Sequence, residues 1–189
     1  VGLIGPNGAG KTTLFNVLTG VYPPSAGSIE LTVDGVTTSL GGRAPYRICA
    51  AGVGRTFQNI RLFPALTALE NVRVAVETRQ KSGPVSAMLG MPWQRKEDRE
   101  SIDKGLELLR FVGLREKANE LAGSLAYGEQ RRLEIARALG TNPGVILLDE
   151  PSNDLDVNTL RALEDGIDGF TGCVLVISHD RWFLDRITT

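Results

Sequence analysis

Val1–Ile4 followed by GPNGAGKT, Gly5–Thr12, constrains this chain more than any other feature. It matches G-x-x-x-x-G-K-[ST] and lies between a short apolar run, read as a buried strand, and a helical segment from about Lys11 to Leu18, the context the motif requires. Gly5, Gly8 and Gly10 let the backbone close with its N–H groups turned inward, because no Cβ obstructs the turn. The helix that follows adds partial positive charge at its N-terminus. Pro6, Asn7 and Ala9 complete the loop, and Thr13 follows it in the first helical turn. Such a loop suits phosphate: Lys11 can reach the β- and γ-phosphates, and the Thr12 hydroxyl can ligate Mg²⁺.

Two further apolar runs, Val145–Leu148 and Cys173–Ile177, end in polar residues, Asp149–Glu150 and Ser178–His179–Asp180. Strands with polar chemistry at their C-terminal ends predict an α/β fold with a mostly parallel sheet. Ser28–Val33 alternates as a half-buried strand, and Val53–Phe57 reads as another. From about Asn59 to Ser124 the pattern is helical, with Ile102, Leu106 and Leu109 at spacings of four and three and Gly113 as a C-cap. Arg79–Arg99, rich in charge and interrupted by Gly and Pro, reads as an exposed excursion. A helix is predicted over about Glu129–Leu139. The chain opens on what reads as a central strand, so truncation at both ends is expected.

Composition excludes several classes. The 189 residues are 42% apolar and 23% charged, a globular mix. No apolar run approaches the roughly 18 residues of a membrane helix. A net charge of -1 leaves no chain-wide basic surface, so direct DNA binding is not expected. Cys49 and Cys173 fit neither a metal-ligand spacing nor a disulfide framework, which points to a reducing compartment.

The strand VILLDE, Val145–Glu150, places Asp149 to hold Mg²⁺ and Glu150 to polarise an attacking water as general base. LAYGEQRRLEIARAL, Leu125–Leu139, resembles the signature motif of ATP-binding-cassette (ABC) ATPases, whose usual form is LSGGQ-RR. Physically it is a glycine turn at a helix N-terminus, a second anion site. The resemblance implies that Ala126, Tyr127, Gly128 and Glu129 meet the γ-phosphate bound by an opposite subunit. Ala126 stands where the family has serine, so a hydroxyl contact is lost. Gln58 in RTFQN resembles the family's Q-loop, which implies that it ligates Mg²⁺ or the attacking water; in isolation it reads as a surface glutamine. His179 in VISHD resembles the switch histidine that bonds the γ-phosphate. Asn153–Asp156 resembles the D-loop, which brings Asp156 to the dimer interface.

Family membership would imply a P-loop NTPase with a RecA-like core over about 1–58 and 141–189. A helical subdomain over about 59–127 and the signature helix over about 128–140 are inserted in it. Two ATP molecules with Mg²⁺ would lie in a head-to-tail dimer. The family's first strands and its adenine-stacking aromatic precede the phosphate loop, so weakened adenine binding is expected here, by about 1–3 kcal/mol.

Two subfamilies are visible. Residues 1 to about 148 resemble the ATP-binding subunits of branched-chain amino acid importers, in LFNVLTGVYPPSAGSI, GVGRTFQNIRLFPALTALENV and the Tyr127-bearing signature. That implies integral membrane permease partners and a cytoplasmic, peripheral position at the inner face of the membrane. Residues from about 149 onward, with DEPSNDLD and SHDRWFLDRI, resemble the ABC-F translation factors, which act on the ribosome. A natural hybrid and a misjoined, non-functional fragment are further readings of that change.

Overall fold

The computed structural model describes residues 1–189 apart from 7, 34, 58, 79–91, 152–159, 162, 165, 166, 168, 188 and 189, and leaves the side chains of 92–95 and 181 undescribed. In chain order the strands are β1 (Gly2–Leu3), β2 (Glu30–Val33), β3 (Val36–Ser39), β4 (Val53–Arg55), β5 (Val145–Asp149) and β6 (Cys173–Ile177). The helices are α1 (Lys11–Leu18), α2 (Pro45–Ala50), α3 (Ala68–Glu77), α4 (Pro92–Phe111), α5 (Tyr127–Gly140) and α6 (Arg181–Ile187).

The predicted parallel sheet is present. Its order is β1-β6-β5-β4, and each neighbouring pair is parallel. Leu3 and Asp149 both register with Ile177, and Arg55 with Leu147, so the C-terminal ends of the strands share one edge. The apolar strands are buried on both faces, as parallel strands covered by helices are. Side chains alternate between the layers. Leu147 and Ile177 pack with Phe15 of α1, Leu31 of β2 and Ile48 of α2. Ile146, Leu148 and Val176 pack with Ile135 and Ala138 of α5 and with Phe183 and Leu184 of α6. Helices α3, α4 and α5 form a second core around Val72, Leu109, Leu133 and Ala136. Helix α5 therefore belongs to both cores.

Local chemistry accounts for the helix limits. Thr67 accepts from the Glu70 N–H at 3.2 Å while Glu70 accepts from the Thr67 N–H at 2.7 Å, a reciprocal cap that starts α3. Gly113, at φ 69, ends α4 as predicted, and the Leu114 N–H donates back to the Leu109 carbonyl at 2.7 Å.

Several expectations are corrected. The strand predicted over Ser28–Val33 begins at Glu30 and pairs antiparallel with β3, outside the parallel sheet. The strand predicted to Phe57 ends at Arg55. Helix α2 was not predicted; it is one short segment started by Pro45 at its first turn. The charged stretch Arg79–Arg99 is not all excursion: from Pro92 it is helix α4, with Ser101 buried two residues beyond Arg99 in the same helix. Residues 79–91 lie outside the described set.

Candidate active site

Because the strands are parallel and in register, the segments leaving β1, β5 and β6 converge. A cleft of roughly 430 Å³, within the usual range for small-molecule sites, is lined by Gly8–Thr13, Asp149, Glu150, Ile177 and His179. Gly8 and Gly10 take φ 84 and φ 82, where a Cβ would be strained although the space around them is open. Helix α1 has neither a side-chain cap nor an acidic residue in its first turn. Its first N–H groups have no intrahelical partners, which leaves them to an anion. The Lys11 ammonium folds back over the loop, donating to the carbonyls of Gly5 and Pro6, the latter at 3.0 Å.

Asp149 is 3% exposed. Its Oδ2 accepts from Arg55 at 3.2 Å, and Arg55 also donates to Asn16 Oδ1 of α1 and to Oγ1 of Thr19, the C-cap of that helix, each at 2.9 Å. Arg55 thus ties the carboxylate to the phosphate-loop helix. Glu150 is 6% exposed and sits at φ 48, a left-handed conformation unusual for glutamate. Its N–H donates to the Ile177 carbonyl at 2.8 Å. Its carboxylate meets His179 twice: Oε1 lies 3.2 Å from Nε2, and Oε2 accepts from the His179 N–H at 3.2 Å.

Lys11, Thr12, Thr13, Asp149, Glu150 and His179 are therefore together, with Gly5 and Pro6 at the base of the loop. The signature residues are elsewhere: none of Ala126, Tyr127, Gly128 and Glu129 lines the cleft. Ala126 and Tyr127 are exposed at the start of α5. Glu129 caps that helix, accepting from the Ala126 N–H at 3.1 Å and pairing with Lys117 at 2.9 Å. The Lys117 hydrogen bond holds the Glu129 carboxyl below its ordinary range, helped by the Ala126 amide. Asn7, Gln58 and Asp156 lie outside the described residues.

Sequence reasoning missed Arg55 and the ion pair Arg131–Glu134 of α5. Arg55 stands three residues before Gln58, and Arg131 and Glu134 are spaced for one helix face. That spacing is as common on a solvated face; their near-complete burial, 2% exposed each, comes from the tertiary packing.

Comparison with known proteins agrees with this fold. A family model described as ABC transporter matches residues 1–153. The high-affinity branched-chain amino acid transport ATP-binding protein LivG of Salmonella typhimurium is 43% identical over 184 residues, 95% of this chain and 71% of that protein. The energy-dependent translational throttle protein EttA of Escherichia coli K12 is 36% identical over 189 residues, all of this chain but 28% of that protein. Both similarities run past residue 148. Among solved structures, the ADP conformation of MJ1267, an ATP-binding cassette of an ABC transporter, superposes with a TM-score of 0.77 at 29% identity, covering 98% of this chain and 72% of that one. MJ0796, a cassette seen as a dimer with ADP and Pi, gives 0.73 at 28% identity, covering 98% and 76%.

The chain belongs to the ABC transporter family. It is an ATP-binding cassette, an α/β P-loop ATPase.

Proposed function

We propose that this chain is the ATP-hydrolysing subunit of an importer for branched-chain amino acids. It would pair head-to-tail with a second cassette and dock on integral membrane permease subunits at the inner face of the membrane. The similarity to LivG carries the reading, since it spans nearly the whole chain and most of that protein. No described helix is long and apolar enough to cross a membrane, so permeases would supply the crossing.

The chemistry follows from the chain's own groups. Lys11 and the loop amides bind the phosphates, and a cleft edge of preorganised N–H groups costs no reorganisation as charge develops. Glu150 accepts the proton of the attacking water, and His179, on the other side of that carboxylate, orients it and faces the γ-phosphate. The donor set fits Mg²⁺. Thr12 and Asp149 offer hard oxygens within one cleft. Among the described residues no cluster of three His, Cys, Asp or Glu forms a protein-only metal cage. Mg²⁺ usually takes one or two protein ligands and completes its shell with phosphates and water. Thr12 and Asp149 would hold it, with Gln58 assisting, and when bound it neutralises phosphate charge. The exposed start of α5, Ala126–Glu129, is read as the site that meets nucleotide on the partner cassette.

Uptake of labelled leucine by cells carrying the chain with its permeases tests the reading. Uptake lost with Glu150→Gln, and sedimentation of the chain with membranes, is the expected result. Uptake unaffected by that substitution, or sedimentation with ribosomes, would overturn it in favour of the translation-factor relatives.

A further inference from the structure

Phe57 immediately precedes Gln58, and both its backbone groups are held by one helix. The Arg131 Nη1 donates to the Phe57 carbonyl and, at 2.9 Å, to Glu134 Oε2. Glu134 Oε1 accepts from the N–H groups of Phe57 and Arg61, each at 3.4 Å. The guanidinium groups of Arg55 and Arg61 lie over the Phe57 ring, 5.0 and 4.5 Å from its centroid. The same Arg131 extends Nη2 to the carbonyl of Glu150 at 3.4 Å. Glu150 needs such a hold, because its φ of 48 is a conformation that persists only when its surroundings over-determine it.

We propose that the buried Arg131–Glu134 pair is a positioning device. It fixes the segment entering Gln58 and the peptide of Glu150 to one rigid helix, so that α5 sets the direction of the Glu150 carboxylate. This rests on the reading of Glu150 as the base. A displacement of Phe57 relative to α5 then reaches Glu150 through one guanidinium. The residue types suit the task. Guanidinium is a planar fork with several donors in fixed directions, and it can hold two carbonyls and a carboxylate at once. A buried ion pair is a weak source of stability compared with apolar packing of the same volume. Arg131 and Glu134 bond three backbone segments besides each other, a directional task that apolar side chains cannot perform. Neither residue lines the cleft, so neither touches the reacting atoms.

The test uses Arg131→Met/Glu134→Leu, which removes both charges of the pair together, beside Arg131→Lys, which keeps the charge but loses the fork. Phosphate release, ATP titration and thermal melts are measured for each, with and without Glu150→Gln. The expected result for the double variant is a cooperative melt, an ATP affinity within about threefold of the parent, and kcat lower by about 10- to 100-fold, the scale of a small misplacement of a reacting group. Arg131→Lys is expected to fall between. In the Glu150→Gln background the double substitution is expected to cost no further turnover, since it acts through Glu150. Parental kcat in the folded double variant would overturn the proposal, as would a loss that multiplies with Glu150→Gln or one that falls on ATP affinity. Full turnover in Glu150→Gln alone would instead remove Glu150 as the base, and the proposal with it.

Discussion

A glutamate held at φ 48 carries backbone strain of about 1–2 kcal/mol. Ile177, Arg131 and His179 each bond it and offset that cost. Glu150→Gln keeps the shape and most of these bonds but removes the proton acceptor. It is expected to bind ATP as the parent does and to hydrolyse it about 10²- to 10⁴-fold more slowly, measured by single-turnover phosphate release. Lys11→Ala removes the cation that spans the loop, and loss of ATP binding is expected by equilibrium titration. Gly10→Ala separates backbone from space: nothing lies within 4 Å of the added Cβ, yet φ is 82. A loss of about 1–2 kcal/mol in ATP binding or stability is expected from the left-handed backbone alone. The glycines and Lys11 were legible in the sequence because a phosphate loop has few solutions. Arg55 was not, because its partner Asp149 lies 94 positions away.

Among the elements, α5 joins the two cores and opens on the exposed Ala126 and Tyr127. Ala126 supplies no hydroxyl to cap it, so Glu129 does the capping alone, braced by Lys117. Its carboxyl titrates below the ordinary value of 4.5. A depressed folded-state pKa contributes stability above the unfolded value and loses it as pH falls through the folded one. Glu129→Gln is therefore expected to cost about 0.5–1 kcal/mol in urea melts between pH 5 and 8, for a half-exposed pair and a cap. The gap to the parent is expected to close as pH drops below 4.5. Helices α1 and α5 and the unbroken apolar runs of β5 and β6 were legible from the chain. The alternation over Ser28–Val33 marked β2, but its partner β3 and helix α2 were not legible, because VTTS and PYRICA carry no alternating or helical apolar spacing.

On the scale of the molecule, the cleft and the signature turn do not meet within one chain. If each cleft is completed by a partner, hydrolysis per chain rises with protein concentration. Gly128→Asp, which puts a carboxylate at the turn proposed to meet the partner's nucleotide, is expected to leave ATP binding intact and to abolish hydrolysis. Mixed with Lys11→Ala, it is expected to recover part of the turnover, because one site of the mixed pair retains both a sound loop and a sound signature. Turnover by Gly128→Asp alone, independent of concentration, would count against a shared site.

What the sequence determined by itself is local and short in reach: the phosphate loop, the acidic end of β5, the histidine after β6 and the signature turn. Each needs residue types at fixed spacing within one segment, and glycine or carboxylate chemistry makes that spacing recognisable. The tertiary structure decided which of them meet. Parallel pairing in register set the ends of β1, β5 and β6 on one edge, and that alone brings Lys11, Asp149, Glu150 and His179 into one cleft while leaving Ala126–Glu129 outside it. It also decided that Arg131 and Glu134 are core rather than surface. A charged pair at helical spacing is the same string of letters on either face, and only packing against the segments that follow β4 and β5 chose the face.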